Sequence, residues 1–321
     1  MKLSIIIPIY NVCPYIKRCF DSIYNQIEDL TQFEVIAIND GSTDNSSIVV
    51  KDYARTHSNL TYIEQTNQGV SVARNKGIIS STGDYLLFVD PDDGLLPQSL
   101  EKTIDAINKK KWDVLICRSF EGKKENYAWR EKFIEDRIYK PIELLNKGYL
   151  RGSVCGNVYN KAFLLKNRIT FLEGVRNDED TLFNLIVFYH TNRIVFSDIE
   201  LYNVIGRENS ASRRFDIGRI DIMINSLKKI MDYLKTFDER PGNKEMVAYI
   251  KYSIISSLVS ATIRTKDVGL KYLLRERVNE YSNFKISSNI KFLRNKMSLL
   301  KFSFIMYYAL FFFNLKVFKK C

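Results

Sequence analysis

The stretch Tyr85-Leu86-Leu87-Phe88-Val89-Asp90-Pro91-Asp92-Asp93 decides the fold. Five consecutive apolar residues read as a strand buried on both faces, the pattern of a parallel sheet covered by helices. Pro91 stops the strand, and Asp90, Asp92 and Asp93 crowd the turn that follows. Carboxylates this close repel one another and call for a cation; Mg2+ or Mn2+ suits their oxygens and commonly holds substrate phosphates as well. The competing reading is an acidic turn in which Pro ends the strand and Asp caps the next helix. The surrounding sequence has to choose between them.

Outward from this strand, apolar runs alternate with helical patterns. Strands are expected at Leu3 to Ile9, Phe33 to Asn39, Leu60 to Gln65, Tyr85 to Val89 and Asp113 to Cys117. Helices are expected at Pro14 to Gln26, Asp44 to His57, Val70 to Ser80 and Gln98 to Lys109. This is an α/β doubly wound pattern, a Rossmann-like, mostly parallel sheet flanked by helices. Ligands of such sheets bind outside the carboxyl ends of the strands, which gathers Tyr10, Asp40 and the acids after Val89 at one crevice. Residues 118–140 turn polar and read as an insertion or hairpin. A helix at Glu179 to Tyr189 and two strands, Ile194 to Ser197 and Leu201 to Ile205, follow. The chain then reads as helical from Asp216 to Glu280, with an interhelical turn at Asp238 to Gly242. The expected division is 1–215, made of halves 1–117 and 118–215, and a helical region 216–321.

The 321 residues, 45% hydrophobic and 26% charged, suit a globular chain rather than a disordered one. The five cysteines are scattered without a CxxC pair, which excludes a zinc-ribbon pattern and points to reduced thiols in the cytoplasm. With only His57 and His190, chemistry needing several histidines is excluded too, and each reads as surface or packing. The net charge of +11 concentrates late: no acid follows Glu280, while Lys285, Lys291, Arg294, Lys296, Lys301, Lys316, Lys319 and Lys320 do. Between Lys301 and Lys316 lies an uncharged aromatic run, Phe302 to Leu315, short of the roughly 20 residues that a spanning helix needs. It fits an anchor lying in the face of an anionic membrane, or a terminal helix packed on the protein. Bases interleaved with apolar residues speak against a nucleic-acid partner.

Asn39-Asp40-Gly41-Ser42-Thr43-Asp44 closes the second strand and opens a helix; Gly41 permits the turn and Ser42 or Thr43 can cap. Asp40 is left over and can accept from the N–H of a base or a ribose hydroxyl. Tyr10 offers a face on which a base can stack. In Asn67-Gln68-Gly69-Val70-Ser71-Val72-Ala73-Arg74-Asn75-Lys76-Gly77, the small residues Gly69, Ala73 and Gly77 recur every four positions and suit close packing on the sheet. Arg74 brings a planar guanidinium to the same edge, able to reach base, ribose or phosphate.

Taken in order, Ile6-Ile7-Pro8-Ile9-Tyr10-Asn11, Asp40-Gly41-Ser42-Thr43-Asp44, Asn67-Gln68-Gly69 with Ala73-Arg74-Asn75, and Val89-Asp90-Pro91-Asp92-Asp93 resemble the family 2 glycosyltransferases of GT-A fold. The likeness is close to about Phe120 and looser to about Ser212. It implies a nucleotide-sugar donor, by family a UDP-sugar, with Pro8, Tyr10, Asp40 and Arg74 around the nucleoside. It also implies Asp90 and Asp92 as the DxD acids, meeting donor ribose and the Mn2+ or Mg2+ on the diphosphate, with Asp93 the alternative metal ligand. Asn39 departs from the family's Asp at that place. Arg176-Asn177-Asp178-Glu179-Asp180 is similar to the family's Glu-Asp segment, which makes Asp180 the general base; acids at a helix start also suit its dipole. Tyr202 to Ser212 resembles the family's lid, with Arg207 set to meet departing phosphate.

The expected reaction is a single in-line displacement that inverts the anomeric centre. No Gln-x-x-Arg-Trp segment of processive synthases is present, Trp112 and Trp129 lying in other contexts, so one-sugar transfer is expected. A lipid-linked saccharide acceptor at the inner membrane face fits the basic aromatic tail, as in bacterial surface polysaccharide assembly. Two other readings compete. Asp90-Pro91-Asp92-Asp93-Gly94 faintly resembles an aspartyl-phosphate loop of a Mg-dependent phosphotransferase or phosphohydrolase, but three strands precede it. A non-catalytic, membrane-associated nucleotide-sugar-binding protein on the same fold is the other. The sequence names neither the sugar, the acceptor, the linkage nor the oligomeric state.

Overall fold

The structure, a computed structural model, describes residues 2–109, 111–122, 124–125, 133–134, 137–147, 152–205, 217–237, 243–264 and 269. The chain divides into two compact units, Met1–Pro141 with Arg151–Arg214, and Ile142–Leu150 with Phe215–Cys321. The first begins with the expected alternation: β1 (Leu3–Ile9), α1 (Cys13–Tyr24), β2 (Phe33–Asp40), α2 (Ser46–Thr56), β3 (Leu60–Gln65), α3 (Val70–Ser80) and β4 (Tyr85–Phe88). Next come β5 (Gly94–Leu95), α4 (Ser99–Lys109) and β6 (Val114–Glu121). Every residue of β1, β2 and β4 is buried, as sheet neighbours and covering helices require.

β1, β2, β3 and β4 pair in parallel, in the order β3-β2-β1-β4. The sheet then continues through β9 (Asn157–Asn160) to β6, β10 (Ile194–Val204) and β5. β6 and β10 are parallel, while β9 runs antiparallel to both β4 and β6 and joins the two parallel blocks. Two short strands, β7 (Lys124–Glu125) on β6 and β8 (Ile138–Tyr139) on β10, complete it. β6 with β7 forms the hairpin anticipated in the polar stretch, turning at Gly122.

The two strands expected after residue 193 are one strand. Its exposed middle, Asp198 and Glu200, coincides with register shifts against β6, so what looked like a break is a bulge. β9 was not anticipated, because Asn157 and Asn160 at its ends mask it. Asn157 is fully buried and donates through Nδ2 to the Ser153 carbonyl at 3.0 Å and to the Tyr159 hydroxyl at 3.0 Å, while its Oδ1 has no hydrogen-bond partner, so its burial is met on the donor side alone. Two further helices lie in this unit: α6 (Lys161–Lys166) and α7 (Glu179–His190). α5 (Pro141–Lys147) begins at the boundary between the units.

In the second unit, α8 (Ile217–Leu234) and α9 (Asn243–Arg264) pack on each other. α8 buries Met223, Leu227, Ile230, Met231 and Leu234, one helical face. The turn Asp238 to Gly242 and the basic aromatic tail lie outside the described residues. Among those described, no helix is long and apolar enough to cross a membrane. The four described cysteines are free thiols, and His57 lies against the ring of Tyr24 with centroids 3.9 Å apart, a packing role.

At the amino ends of the strands, Glu34 is a buried staple. Its Oε1 accepts from Ser4 Oγ at 2.6 Å, from Thr82 N at 2.6 Å, from Thr82 Oγ1 at 2.8 Å and from Gly83 N at 3.0 Å. Burial alone would raise its pKa; the bonds from Ser4 and Thr82 outweigh burial and hold it below the ordinary value of 4.5. A depressed carboxyl contributes stability above its unfolded pKa and loses it as pH falls through the folded one. Glu34→Gln should therefore cost about 1–3 kcal/mol at pH 7. The gap to wild type should close as pH falls below 4.5, read by chemical denaturation across pH. α3 supplies a second check on this unit. A Cβ at Gly77 would stand 2.3 Å from Ile6 Cγ2 on β1, so Gly77→Ala should destabilise by about 1–3 kcal/mol despite its better helix propensity.

Candidate functional site

The site is built on loops leaving the carboxyl ends of β1, β2 and β4 and on the start of α7. Register sets Ile9 beside Asn39, so the first two loops run together. Asn11, in a left-handed conformation at φ 51°, accepts through Oδ1 from Thr43 N at 2.8 Å and Asp44 N at 3.3 Å. In return, its own N–H donates to Ser42 Oγ at 3.1 Å, while Val12 N donates to Ser46 Oγ and Cys13 N to Asp44 Oδ2. The motif's hydroxyls thus bind one loop to the other. Pro8 is buried within β1, and Tyr10, in the loop that follows, is 48% exposed.

Asp40 organises the next loop. Oδ1 accepts from Gln65 Nε2 and Gln68 N, and Oδ2 from Gly69 N, each at 2.8 Å. Gly69, at φ 94°, adopts the backbone that glycine permits and starts α3. Beside it, Asn39 accepts from Ser42 N at 3.0 Å and donates to Tyr62 Oη at 2.9 Å and Glu64 Oε1 at 3.3 Å. An aspartate there would put a second carboxylate against Glu64, so the amide suits this chain.

One face of α3 docks the segment that leads to α7. Asn75 Nδ2 donates to the Phe171 carbonyl at 2.9 Å and its Oδ1 accepts from Phe171 N at 2.8 Å; Ser71 Oγ donates to the Val175 carbonyl at 3.2 Å. Between them Arg74, 4% exposed, lies over the Phe171 ring at 5.1 Å. Its Nη2 meets Asp90 Oδ1 at 3.0 Å and its Nη1 meets Glu179 Oε1 at 3.4 Å. Asp90 and Glu179 hold its pKa above the ordinary value against burial, which favours the neutral form.

The acid turn divides its carboxylates. Asp90 faces Arg74. Asp93 is turned inward: Oδ2 accepts from the Tyr202 hydroxyl at 2.8 Å and Oδ1 from Ile205 N at 2.8 Å, while the Tyr202 oxygen accepts from Asp90 N at 3.1 Å. Burial raises the Asp93 pKa to about 7, with Asp90 and Asp92 adding to it and the bonds from Ile205 and Tyr202 opposing it. The Asp92 carbonyl accepts from Arg18 Nη2 at 2.7 Å, which fixes the turn. Beneath lies Cys19, whose thiol is pushed up by burial and by the three acids and stays neutral.

Asp180 sits in the first turn of α7. Burial and then the neighbouring Glu179 raise its pKa, and Arg74 opposes them. The loop before β9 closes on this helix: a Cβ at Gly152 would stand 3.0 Å from Thr181 Oγ1, and the Ser153 carbonyl accepts from Asn184 Nδ2 at 3.0 Å. Among the described residues, no three His, Cys, Asp or Glu side chains form a group that could hold a metal ion. Asp90, paired with Arg74, and Asp92 are less buried than Asp93, and carboxylates of this kind suit a hard cation whose shell is completed by substrate phosphate and water.

Residues 4–167 match the family model Glycosyl transferase family 2. The chain belongs to this family. It is 31% identical over 221 residues to the uncharacterized glycosyltransferase YibD of Escherichia coli, covering 66% of this chain and 63% of that protein. It is also 30% identical over 210 residues to the poly(ribitol-phosphate) beta-N-acetylglucosaminyltransferase TarS of Staphylococcus aureus, covering 65% and 36%. The chain thus spans less than two thirds of the length of these relatives. The crystal structure of TarS 1-349 in complex with UDP-GlcNAc aligns with TM-score 0.59 at 22% identity, over 88% of this chain and 89% of that one. The mannosyltransferase PcManGT from Pyrobaculum calidifontis, in complex with GDP-Man and Mn2+, aligns with TM-score 0.54 at 15% identity, over 94% and 84%. The fold is GT-A.

In this family 2 glycosyltransferase the structure brings Arg74, Asp90, Glu179 and Asp180 together. Asn39 and Asp40 are the last two residues of β2, at its carboxyl end, and Arg207 lies outside the described residues. Tyr202, expected to begin the lid, is instead a buried residue of β10 bonded to Asp93, and residues 206–212 of that lid lie outside the described residues. Sequence reading missed the docking roles of Ser71 and Asn75 and the pairing of Glu179 with Arg74. Asn75, directly after an arginine on one helix, was the available signal. Because the Asp93 carboxyl is raised, it contributes stability that is present below pH 3.8 and lost as pH rises through about 7. Asp93→Asn should remove that decline from the pH profile of the thermal midpoint, in a window separate from that of Glu34.

Proposed function

We propose that this chain transfers one sugar from a nucleoside diphosphate sugar, a UDP-sugar by preference, to a saccharide acceptor with inversion. The observation that carries this reading is the pairing of Arg74 with both Asp90 and Glu179, which sets the acid edge after β4 beside Asp180. In this reading Tyr10 stacks on the base, Asp40 presents the loop that meets the nucleoside, and Asp90 meets the ribose. Asp90 and Asp92, rather than Asp93, would hold Mn2+ or Mg2+, which when bound offsets the charge growing on the diphosphate.

Asp180 accepts the proton of the acceptor hydroxyl as its oxygen attacks the anomeric carbon, and the nucleoside diphosphate leaves from the opposite side. One displacement inverts the configuration. Burial, which strengthens the proton affinity of Asp180, makes it a better base near neutral pH than a solvated aspartate. Arg207 would meet departing phosphate. The acceptor class we favour is a lipid-linked saccharide of bacterial surface polymer assembly, reached at the inner membrane face through the basic aromatic tail. The kinship with TarS, a poly(ribitol-phosphate) glycosyltransferase by name, supports the polymer context.

Asp180→Asn should lower transfer by roughly 10²–10⁴-fold, with nucleotide binding retained, as measured by nucleoside diphosphate release alongside calorimetry of UDP and GDP with and without Mn2+. Undiminished transfer would remove Asp180 from the base role. Failure of both nucleotides to bind in a metal-dependent way would overturn the donor assignment.

A further inference from the structure

Arg74 is a buried cation shared by two acids from two elements. Asp90, at the end of β4, has a side chain 35% exposed, whereas Glu179, first residue of α7, has one only 15% exposed. The guanidinium between them is dry on its remaining edge: Nε has no hydrogen-bond partner and is sealed by packing. A guanidinium presents its donors as a rigid fork, so Nη1 and Nη2 cannot both turn to one partner without giving up the other. One positive and two negative charges leave the triad with one negative charge. Because Asp90 is its most exposed member, that excess faces the crevice.

We propose that Glu179 is a positioning residue that draws the Arg74 guanidinium toward α7 and so keeps the charge of Asp90 available to a cation and its nucleoside diphosphate. Without the charge of Glu179, Asp90 is the one ionised carboxylate that Arg74 hydrogen-bonds, Asp180 acting on it through space without a hydrogen bond. The Arg74–Asp90 pair then becomes neutral, and a divalent cation arriving at that edge must compete with a buried guanidinium for the same carboxylate. Glu179 therefore acts through Arg74 and need not touch the donor. It also adds to the proton affinity of Asp180, so one side chain serves both the donor edge and the base. A buried ion pair kept only for the fold would influence stability alone.

The inference rests on the nucleotide-sugar reading above, and the test separates the two. UDP and GDP are titrated calorimetrically into the full chain with and without Mn2+, for wild type, Glu179→Gln and Glu179→Asp, with thermal midpoints measured alongside. Glu179→Gln keeps an acceptor for Arg74 Nη1 and removes only the charge. The expected result is a loss of about tenfold in the Mn2+-dependent gain in nucleotide affinity, the scale of one unit charge a few ångströms from a partly exposed carboxylate. Affinity without metal, which draws on Asp90 only through the ribose, should fall by less than the metal-dependent gain does, and Glu179→Asp, which keeps the charge and guards against a folding failure of the Gln variant, should restore at least part of the gain. Equal gains in wild type and a folded Glu179→Gln overturn the proposal and leave the transferase reading standing. A Glu179→Asp variant that restores nothing overturns it as well. No Mn2+-dependent gain in wild type overturns it together with the metal assignment.

Discussion

A guanidinium buried among protein atoms needs compensating charge, and Arg74 obtains it from two directions at once. The demand dictates much of the surrounding architecture. α3 must lie close to the sheet, which the absence of a side chain at Gly77 permits, so that Arg74 reaches the end of β4. The segment from Phe171 to Glu179 must return to the same helix, and Ser71 and Asn75 hold it there through backbone bonds. A helix whose apolar pattern suggested only sheet packing is therefore also the dock for the acid pair at the start of α7.

The loops after β1 and β2 obey a different constraint, the need to satisfy backbone N–H groups around a concave edge. Asn11, Asn39, Asp40, Ser42, Asp44 and Ser46 spend side-chain acceptors on neighbouring N–H groups, and the chain becomes a stiff rim. Side chains that the motifs offer to a ligand also make the bonds that frame the edge. Tyr10, in the same loop, is left about half exposed.

The apolar β1, β2 and β4 and the periodic helices between them were readable because burial on both strand faces leaves an uninterrupted signal. β3 and α3 have the very bounds that their patterns indicated. β9 escaped because its two buried apolar residues, Val158 and Tyr159, are flanked by Asn157 and Asn160, too short an apolar run for periodicity to register. β10 was divided in two because a bulge exposes its middle. Of the site, residue types were legible but their pairings were not. The resemblance put Asp92 ahead of Asp93 at the turn, but nothing local showed that Tyr202 of β10 and Ile205 just after it would bond to the Asp93 carboxylate. Glu179 read as an acid suited to a helix dipole, since nothing local shows that Arg74, far off in sequence, is its partner.

The antiparallel strand between the two parallel blocks has a consequence for biosynthesis. As the chain leaves the ribosome, β4 finds β1 on one side, but its other neighbour, β9, lies some seventy residues downstream of it in the sequence. Until that short, polar strand emerges, the growing sheet carries an unprotected apolar edge, the kind of surface on which nascent chains pair with one another. Closure also awaits a contact of long sequence separation, which slows it.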